Sequence, residues 1–182
     1  MIEHRKIRST TILGVRSKGK VAVAGDGQVT LGDMAMKQKA VKVRKFDSQK
    51  GGVVGGFAGA AAEAHTLFEK FEQKLDEYEG DLKRSVVEMA KDWRTDKILR
   101  HLEALLLVMD KRDSFIIAGD GNVIEPDGAI VSIGSGGGFA QSAATAFLQS
   151  GKYSAKQIAE KSLSIAADLC LYPNDSITVL EL

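Results

Sequence analysis

The chain has 182 residues, 44% of them hydrophobic, with 25 Lys or Arg against 24 Asp or Glu and a formal net charge of +1. That length and apolar content suit one domain with a sizeable core and exclude a disordered chain. The balanced charge gives no electrostatic case for nucleic acid, and no apolar run approaches the roughly 20 residues of a membrane span. Cys170 is the single cysteine, which excludes an internal disulfide, and 19 Gly against 2 Pro point to tight turns between uninterrupted elements.

Residues 1–8, MIEHRKIR, form a charged leader with no apolar centre, so they do not read as a secretory signal, and the expected location is the cytoplasm. Strands are predicted over 10–15 and 20–24, joined by Arg16-Ser17-Lys18-Gly19. Ala24-Gly25-Asp26-Gly27 is a further turn signal. Residues 28–50 mix short β-like pieces with basic side chains, and 51–59 read as a buried strand running into a tight turn. From Ala60 the period becomes helical, with Leu67, Phe68, Phe71 and Leu75 on one face. Glu79-Gly80-Asp81 ends that helix, and Asp81 caps a second one carrying Leu82, Val86, Met89, Ala90 and Trp93. Strands over 105–108, 114–118, 122–125 and 130–133 follow, then a glycine run, helices over 139–149 and 155–171, and a last strand over 176–180. Strands in hairpin-like groups, rather than alternating singly with helices, favour antiparallel sheets covered by helices. No linker, low-complexity tract or second domain is visible.

The chemistry starts at Ser9-Thr10-Thr11. If the leader is removed, a threonine becomes the first residue. It then carries a hydroxyl nucleophile and a free α-amine whose intrinsic pKa is about 8, near what a general base needs; a threonine served by its own amine is a recognised nucleophile design. The plain alternative is two strand-opening threonines. The rest of the sequence narrows the choice. There is no G-x-x-x-x-G-K-[ST] phosphate loop and no G-x-S-x-G elbow. His4, His65 and His101 share no ligand or triad spacing, so zinc or Ser-His-Asp chemistry is not supported.

Gly134-Ser135-Gly136-Gly137-Gly138 reads either as a close-approach turn or as an anion loop; Ser135 could place a hydroxyl in a cleft. Lys42, within Ala40-Val41-Lys42-Val43, falls by alternation on the face opposite its β-branched neighbours, either solvated or turned into a cleft with a lowered pKa. Cys170 reads as a small hydrophobe rather than a nucleophile. Val21-Ala22-Val23-Ala24-Gly25-Asp26-Gly27 is echoed by Phe115-Ile116-Ile117-Ala118-Gly119-Asp120-Gly121, so neither aspartate is catalytic on local sequence alone.

Taken in order, Thr10-Thr11-Ile12, Ala24-Gly25-Asp26-Gly27-Gln28, Lys42-Val43-Arg44-Lys45, Gly56-Phe57-Ala58-Gly59, Thr66-Leu67-Phe68-Glu69, residues 90–96, Leu102-Glu103-Ala104, Ile133-Gly134-Ser135-Gly136-Gly137 and Asn174 resemble the proteasome β-subunit family over nearly the whole chain. The resemblance implies an α+β fold, a four-layer α-β-β-α sandwich of two antiparallel sheets. It implies a leader of residues 1–9 and a single peptidase domain over 10–182. The catalytic set it implies is Thr10 as nucleophile, Asp26 and Lys42 beside it, Ser135, and the backbone N–H of Gly56 as oxyanion donor. Asp120 has no counterpart. Ser9 or Thr11 becomes the first residue if cleavage falls one residue to either side.

The family further implies a homo-oligomer of two stacked hexameric rings, unfolded polypeptide substrates and a partner ATPase ring. ATP is then used by the partner, and the chain itself needs no cofactor for the chemistry. It also implies a monovalent or divalent cation, sodium being the expected one, on the backbone carbonyls of Ala167, Cys170 and Pro173. Two alternatives stand beside this reading: an N-terminal-nucleophile amidohydrolase acting on a small amide, and an unprocessed, inactive structural ring subunit.

Overall fold

The computed structural model describes residues 10–31, 34–59, 61–96 and 104–182. Among these the elements run β1 (Thr11–Ser17), β2 (Lys20–Gly25), β3 (Val29–Leu31), β4 (Met34–Lys37), β5 (Val43–Phe46), β6 (Val53–Ala58), α1 (Ala61–Glu77), α2 (Leu82–Thr95), β7 (Leu105–Met109), β8 (Ser114–Ala118), β9 (Val123–Ile124), β10 (Ile130–Gly134), α3 (Gly137–Ser150), α4 (Ala155–Leu169) and β11 (Thr178–Glu181). The leader with Ser9 and His4, the Ala60 helix start, His101 and the Leu102-Glu103 part of the resemblance lie outside the described residues.

Two antiparallel sheets are formed, in the orders β10-β1-β2-β11 and β5-β6-β7-β8-β9, with β3 and β4 as a separate hairpin. Strand alternation sorts the apolar residues into three cores. On β1 and β2, Leu13, Val15, Ala22 and Ala24 face α3 and α4, meeting Ala140, Ala144, Ile158, Ala159 and Leu163. Their neighbours Ile12, Val21 and Val23 face the other way and meet Val43, Val54, Leu107 and Met109 of the second sheet. The outer face of that sheet, through Phe46, Phe57, Leu106 and Val108, is covered by Leu67, Phe71, Leu75, Val86, Met89 and Trp93 of α1 and α2. A period of two on strands buried on both faces and a period of near 3.6 on the covering helices leave the α-β-β-α sandwich as the arrangement that buries every apolar face.

Helix ends follow local chemistry. Asp81 accepts the Arg84 N–H at 3.0 Å at the start of α2. Ser154 and Gln157 form a reciprocal capping box at the start of α4. Two helix boundaries differ from the sequence reading by two residues. α4 stops at Leu169, two residues early, because Cys170 is extended ahead of Pro173, whose missing N–H and ring disfavour helix in the preceding segment. α3 starts at Gly137, inside the glycine run, because the run itself closes onto β1.

The topology brings four chain segments to one place: the start of β1, the end of β2, the start of β5 and the end of β10. Thr11 pairs with Gly134, and Ile12 pairs with both Gly25 and Ile133.

Candidate active site

Thr10 stands one residue before β1 and is 5% exposed in the full chain, where the Ser9–Thr10 peptide bond is intact. Its carbonyl accepts the Ser135 N–H at 3.0 Å. Thr11, fully buried, donates its N–H to Asp26 Oδ1 at 2.7 Å, and its Oγ1 accepts the Gly136 N–H at 3.0 Å. The Thr11 carbonyl accepts the Asp26 N–H at 3.2 Å. The first two residues of the expected mature chain are thus fixed between the Asp26 turn on one side and the glycine run on the other.

The glycines of that run have a steric reason. Gly134 has φ +93°, and a Cβ there would lie 1.8 Å from the Thr10 carbonyl oxygen. Only glycine accepts both the backbone conformation and the approach.

Asp26 is completely buried and Lys42 is 6% exposed. Lys42 Nζ lies 3.1 Å from both carboxylate oxygens and also donates to the Gln28 carbonyl. Asp26 Oδ2 accepts the Gln28 N–H at 2.9 Å. Burial pushes the Lys42 ammonium below the ordinary lysine range, and the Asp26 charge and hydrogen bond hold it back up. The pair is a buried, hydrogen-bonded ion pair whose charges sit against the first peptide unit of β1. The alternation argued from Val41 and Val43 does not place Lys42: Val41 is 70% exposed, Val43 is 4% exposed and β5 begins only at Val43. Lys42 enters the interior from the loop before the strand.

Gly56 is placed differently from the expectation. The Phe57 N–H donates to the Lys42 carbonyl at 3.0 Å. A strand turns successive N–H groups to opposite edges, so the Gly56 N–H faces β7, where its register partner is Leu107. A Cβ at Gly56 would lie 2.4 Å from Ile12 Cγ2, so this glycine lets β1 and β6 approach across the inter-sheet core. Its N–H belongs to the sheet ladder and does not open onto Thr10, which corrects its assignment as oxyanion donor.

Ser135 is exposed, at the mouth of the site, and touches Thr10 through its backbone N–H. Asp120 caps its own turn, accepting the Asn122 N–H at 3.0 Å, as a turn aspartate should. The sequence reading gave no role to Gln28, and considered Thr11 only as an alternative first residue. Gln28 acts through its backbone, which leaves no trace in residue type. For Thr11, the adjacent pair of threonines was a usable signal.

Among the described residues no group of three or more His, Cys, Asp or Glu side chains could hold a metal. Ala167 lies in the last turn of α4, whose carbonyls lose their intrahelical partners and carry the negative end of the helix dipole; Cys170 is the extended C-cap and Pro173 follows in the loop. Hard oxygen donors of this kind suit an alkali or alkaline-earth cation.

A threonine at the head of a strand, a buried carboxylate–ammonium pair against it and a four-layer sandwich define the N-terminal-nucleophile hydrolase class. The chain belongs to the proteasome family: the model for the proteasome subunit matches residues 7–182. It is 52% identical over 178 residues to the ATP-dependent protease subunit HslV of Treponema denticola, covering 98% of this chain and 99% of that protein. The crystal structure of the eukaryotic HslV of Trypanosoma brucei superposes with a TM-score of 0.87 at 45% identity, over 94% of this chain and 98% of that one. The Thiobacillus denitrificans protein BPH, solved in complex with epoxomicin, shares the fold with a TM-score of 0.75 at 19% identity, over 94% of this chain and 97% of that one.

Proposed function

We propose that this chain is the threonine endopeptidase subunit of an ATP-dependent protease. The observation that carries it is the position of Thr10: first residue before β1, its carbonyl held by Ser135, with the buried Asp26–Lys42 pair bonded to the next peptide unit. Full-length identity of 52% to a protease subunit supports the same reading. Residues 1–9 are the leader and 10–182 the peptidase domain.

After the Ser9–Thr10 bond is hydrolysed, the Thr10 nitrogen changes from an amide to an amine and gains a lone pair. The amine then takes the proton from Thr10 Oγ1 as that oxygen attacks a substrate carbonyl. The proton passes to the leaving amine, and water hydrolyses the resulting ester. Lys42, held charged by Asp26, supplies positive potential that keeps the α-amine unprotonated and the hydroxyl acidic. Thr11 is the weaker candidate for first residue, because its hydroxyl is buried and engaged by Gly136. The oxyanion donor belongs at the end of β6 rather than at Gly56. Gly59 lies beyond the last β5–β6 register pair, Val43 with Gly56, so alternation returns its N–H to the β5 side where β5 has not yet begun.

The subunit works as a double hexameric ring in the cytoplasm, fed with unfolded polypeptides by an HslU-type AAA+ ATPase that hydrolyses the ATP. Ala167, Cys170 and Pro173 would hold a cation through their carbonyls, a structural ion beside the end of α4 rather than a participant in peptide cleavage. The test is Thr10→Ala: assembly is retained and peptide cleavage falls to background. Retained cleavage rules Thr10 out as the nucleophile.

A further inference from the structure

The Asp26–Lys42 pair is held by a turn, and the turn is held by one side chain that takes no part in the chemistry above. Asn174 lies in the loop between α4 and β11. Its Oδ1 accepts the N–H groups of Gly27 at 3.1 Å and Ser176 at 3.3 Å, and its Nδ2 donates to the Gln38 carbonyl at 2.9 Å. One amide therefore ties together the turn after β2, the segment between β4 and β5, and its own loop. An amide suits the place because it offers an acceptor at one end and donors at the other. Two N–H groups at one end and a carbonyl at the other also fix which way round it sits.

The tied turn completes the surroundings of both charged residues. The Gln28 N–H donates to Asp26 Oδ2, and the Gln28 carbonyl accepts from Lys42 Nζ. The Gly27 carbonyl accepts the Ala40 N–H at 2.8 Å, and a Cβ at Gly27 would lie 2.4 Å from the Gln38 carbonyl oxygen, so the turn has little room to shift. The preceding residue, Pro173, packs on Gly136, the N–H donor to Thr11 Oγ1. The loop thus braces the start of β1 from both sides.

We propose that Asn174 is a positioning residue for the peptidase reaction: its carboxamide fixes the Gly27–Gln28 turn so that Asp26 and Lys42 keep one geometry beside Thr10. This rests on the threonine-peptidase reading. The experiment compares Asn174→Ala, Asn174→Asp, Thr10→Ala and Ser85→Ala with the unaltered protein, each assembled with its ATPase and assayed on a fluorogenic peptide across pH. Ser85 is a control: it bonds the Asp81 and Lys74 carbonyls at the start of α2, away from the site.

Asn174→Ala is expected to lower kcat about tenfold with KM within twofold. It should also move the alkaline limb of the pH profile upward, as the loosened turn admits water to Lys42. Asn174→Asp keeps the two acceptor bonds, loses the donor and is expected to give an intermediate kcat. Ser85→Ala is expected to lower Tm without moving the limb. An unchanged kcat in Asn174→Ala, or a lowered one with an unmoved limb, overturns the proposal. If Asn174→Ala does not assemble, Asn174→Asp decides by the same two readouts. Cleavage retained by Thr10→Ala overturns the underlying reading instead, whatever Asn174 does.

Discussion

Lys42 and Asp26 form a buried pair that bears on stability and, in the proposed mechanism, on the chemistry. Removing the ammonium alone leaves a completely buried carboxylate without its cation, a situation that costs about 3–5 kcal/mol in comparable sites. Lys42→Met is therefore expected to lower the unfolding free energy by that order in urea titrations, and the double variant Lys42→Met/Asp26→Asn to recover part of it. Both lose peptidase activity. The pH dependence has a definite sign. Burial lowers the folded-state pKa of Lys42 below its unfolded value of 10.5. Between those two values the unfolded chain holds more protons, so this group's contribution to stability rises with pH. On the proposed mechanism, activity is expected to move the opposite way over the same window, because that mechanism needs the ammonium charged. Its acid limb belongs to the α-amine, which must be neutral. A bell-shaped kcat/KM profile is expected, and Lys42→Arg, whose cation does not titrate, should flatten the alkaline side of whatever activity remains.

The glycine run between β10 and α3 serves as a mould for the start of β1, and its glycines are not equivalent. Gly134→Ala places a Cβ on the Thr10 carbonyl at a backbone angle that disfavours side chains. It should displace Thr10, with expected loss of cleavage and a lowered Tm. Gly138→Ala meets nothing within 4 Å and lies inside α3. Alanine is the better helix former there by about 0.5–1 kcal/mol, so activity should hold and Tm rise slightly. Circular dichroism melts and peptide assays on the two variants separate the mould from a generic flexible loop. On the far side of the molecule, α1 and α2 are linked by Lys74, which bridges Glu77 and Asp92 at 3.1 and 3.0 Å. Those exposed pairs raise the Lys74 pKa but contribute little to holding the helices together; Phe46, Phe71 and Trp93 beneath them do most of that.

For the whole molecule, the proposed mechanism turns on one peptide bond, that between Ser9 and Thr10. The intact mass of the active particle is expected to lack residues 1–9. A mass retaining them in particles that still cleave peptide would sink the free-amine mechanism. Peptide cleavage is further expected to rise when an HslU-type ATPase and ATP are added. The small-amide hydrolase alternative predicts no such dependence.

Periodicity, turn residues and caps were enough to place the helices and the strands outside residues 28–50, because each apolar face is written locally at a spacing of two or near 3.6; β3, β4 and β5 were visible only as short β-like pieces. Thr10, Asp26 and Lys42 were also legible, through resemblance in type and spacing. Lys42 was legible for the wrong local reason, since its neighbour Val41 is exposed and no strand passes through it. Gly56 was misread because a glycine needed for packing against Ile12 and a glycine needed for its N–H look identical in a sequence. Asn174 was visible only as a residue in a matching block. Its partners Gly27 and Gln38 stand more than 130 positions away, and all three of its bonds are to backbone groups. The sequence by itself determined most of the elements, their buried faces and the candidate nucleophile. Only the tertiary structure decided which backbone groups face the cleft and what holds the ion pair still, because strand register and loop contacts join segments that no local pattern connects.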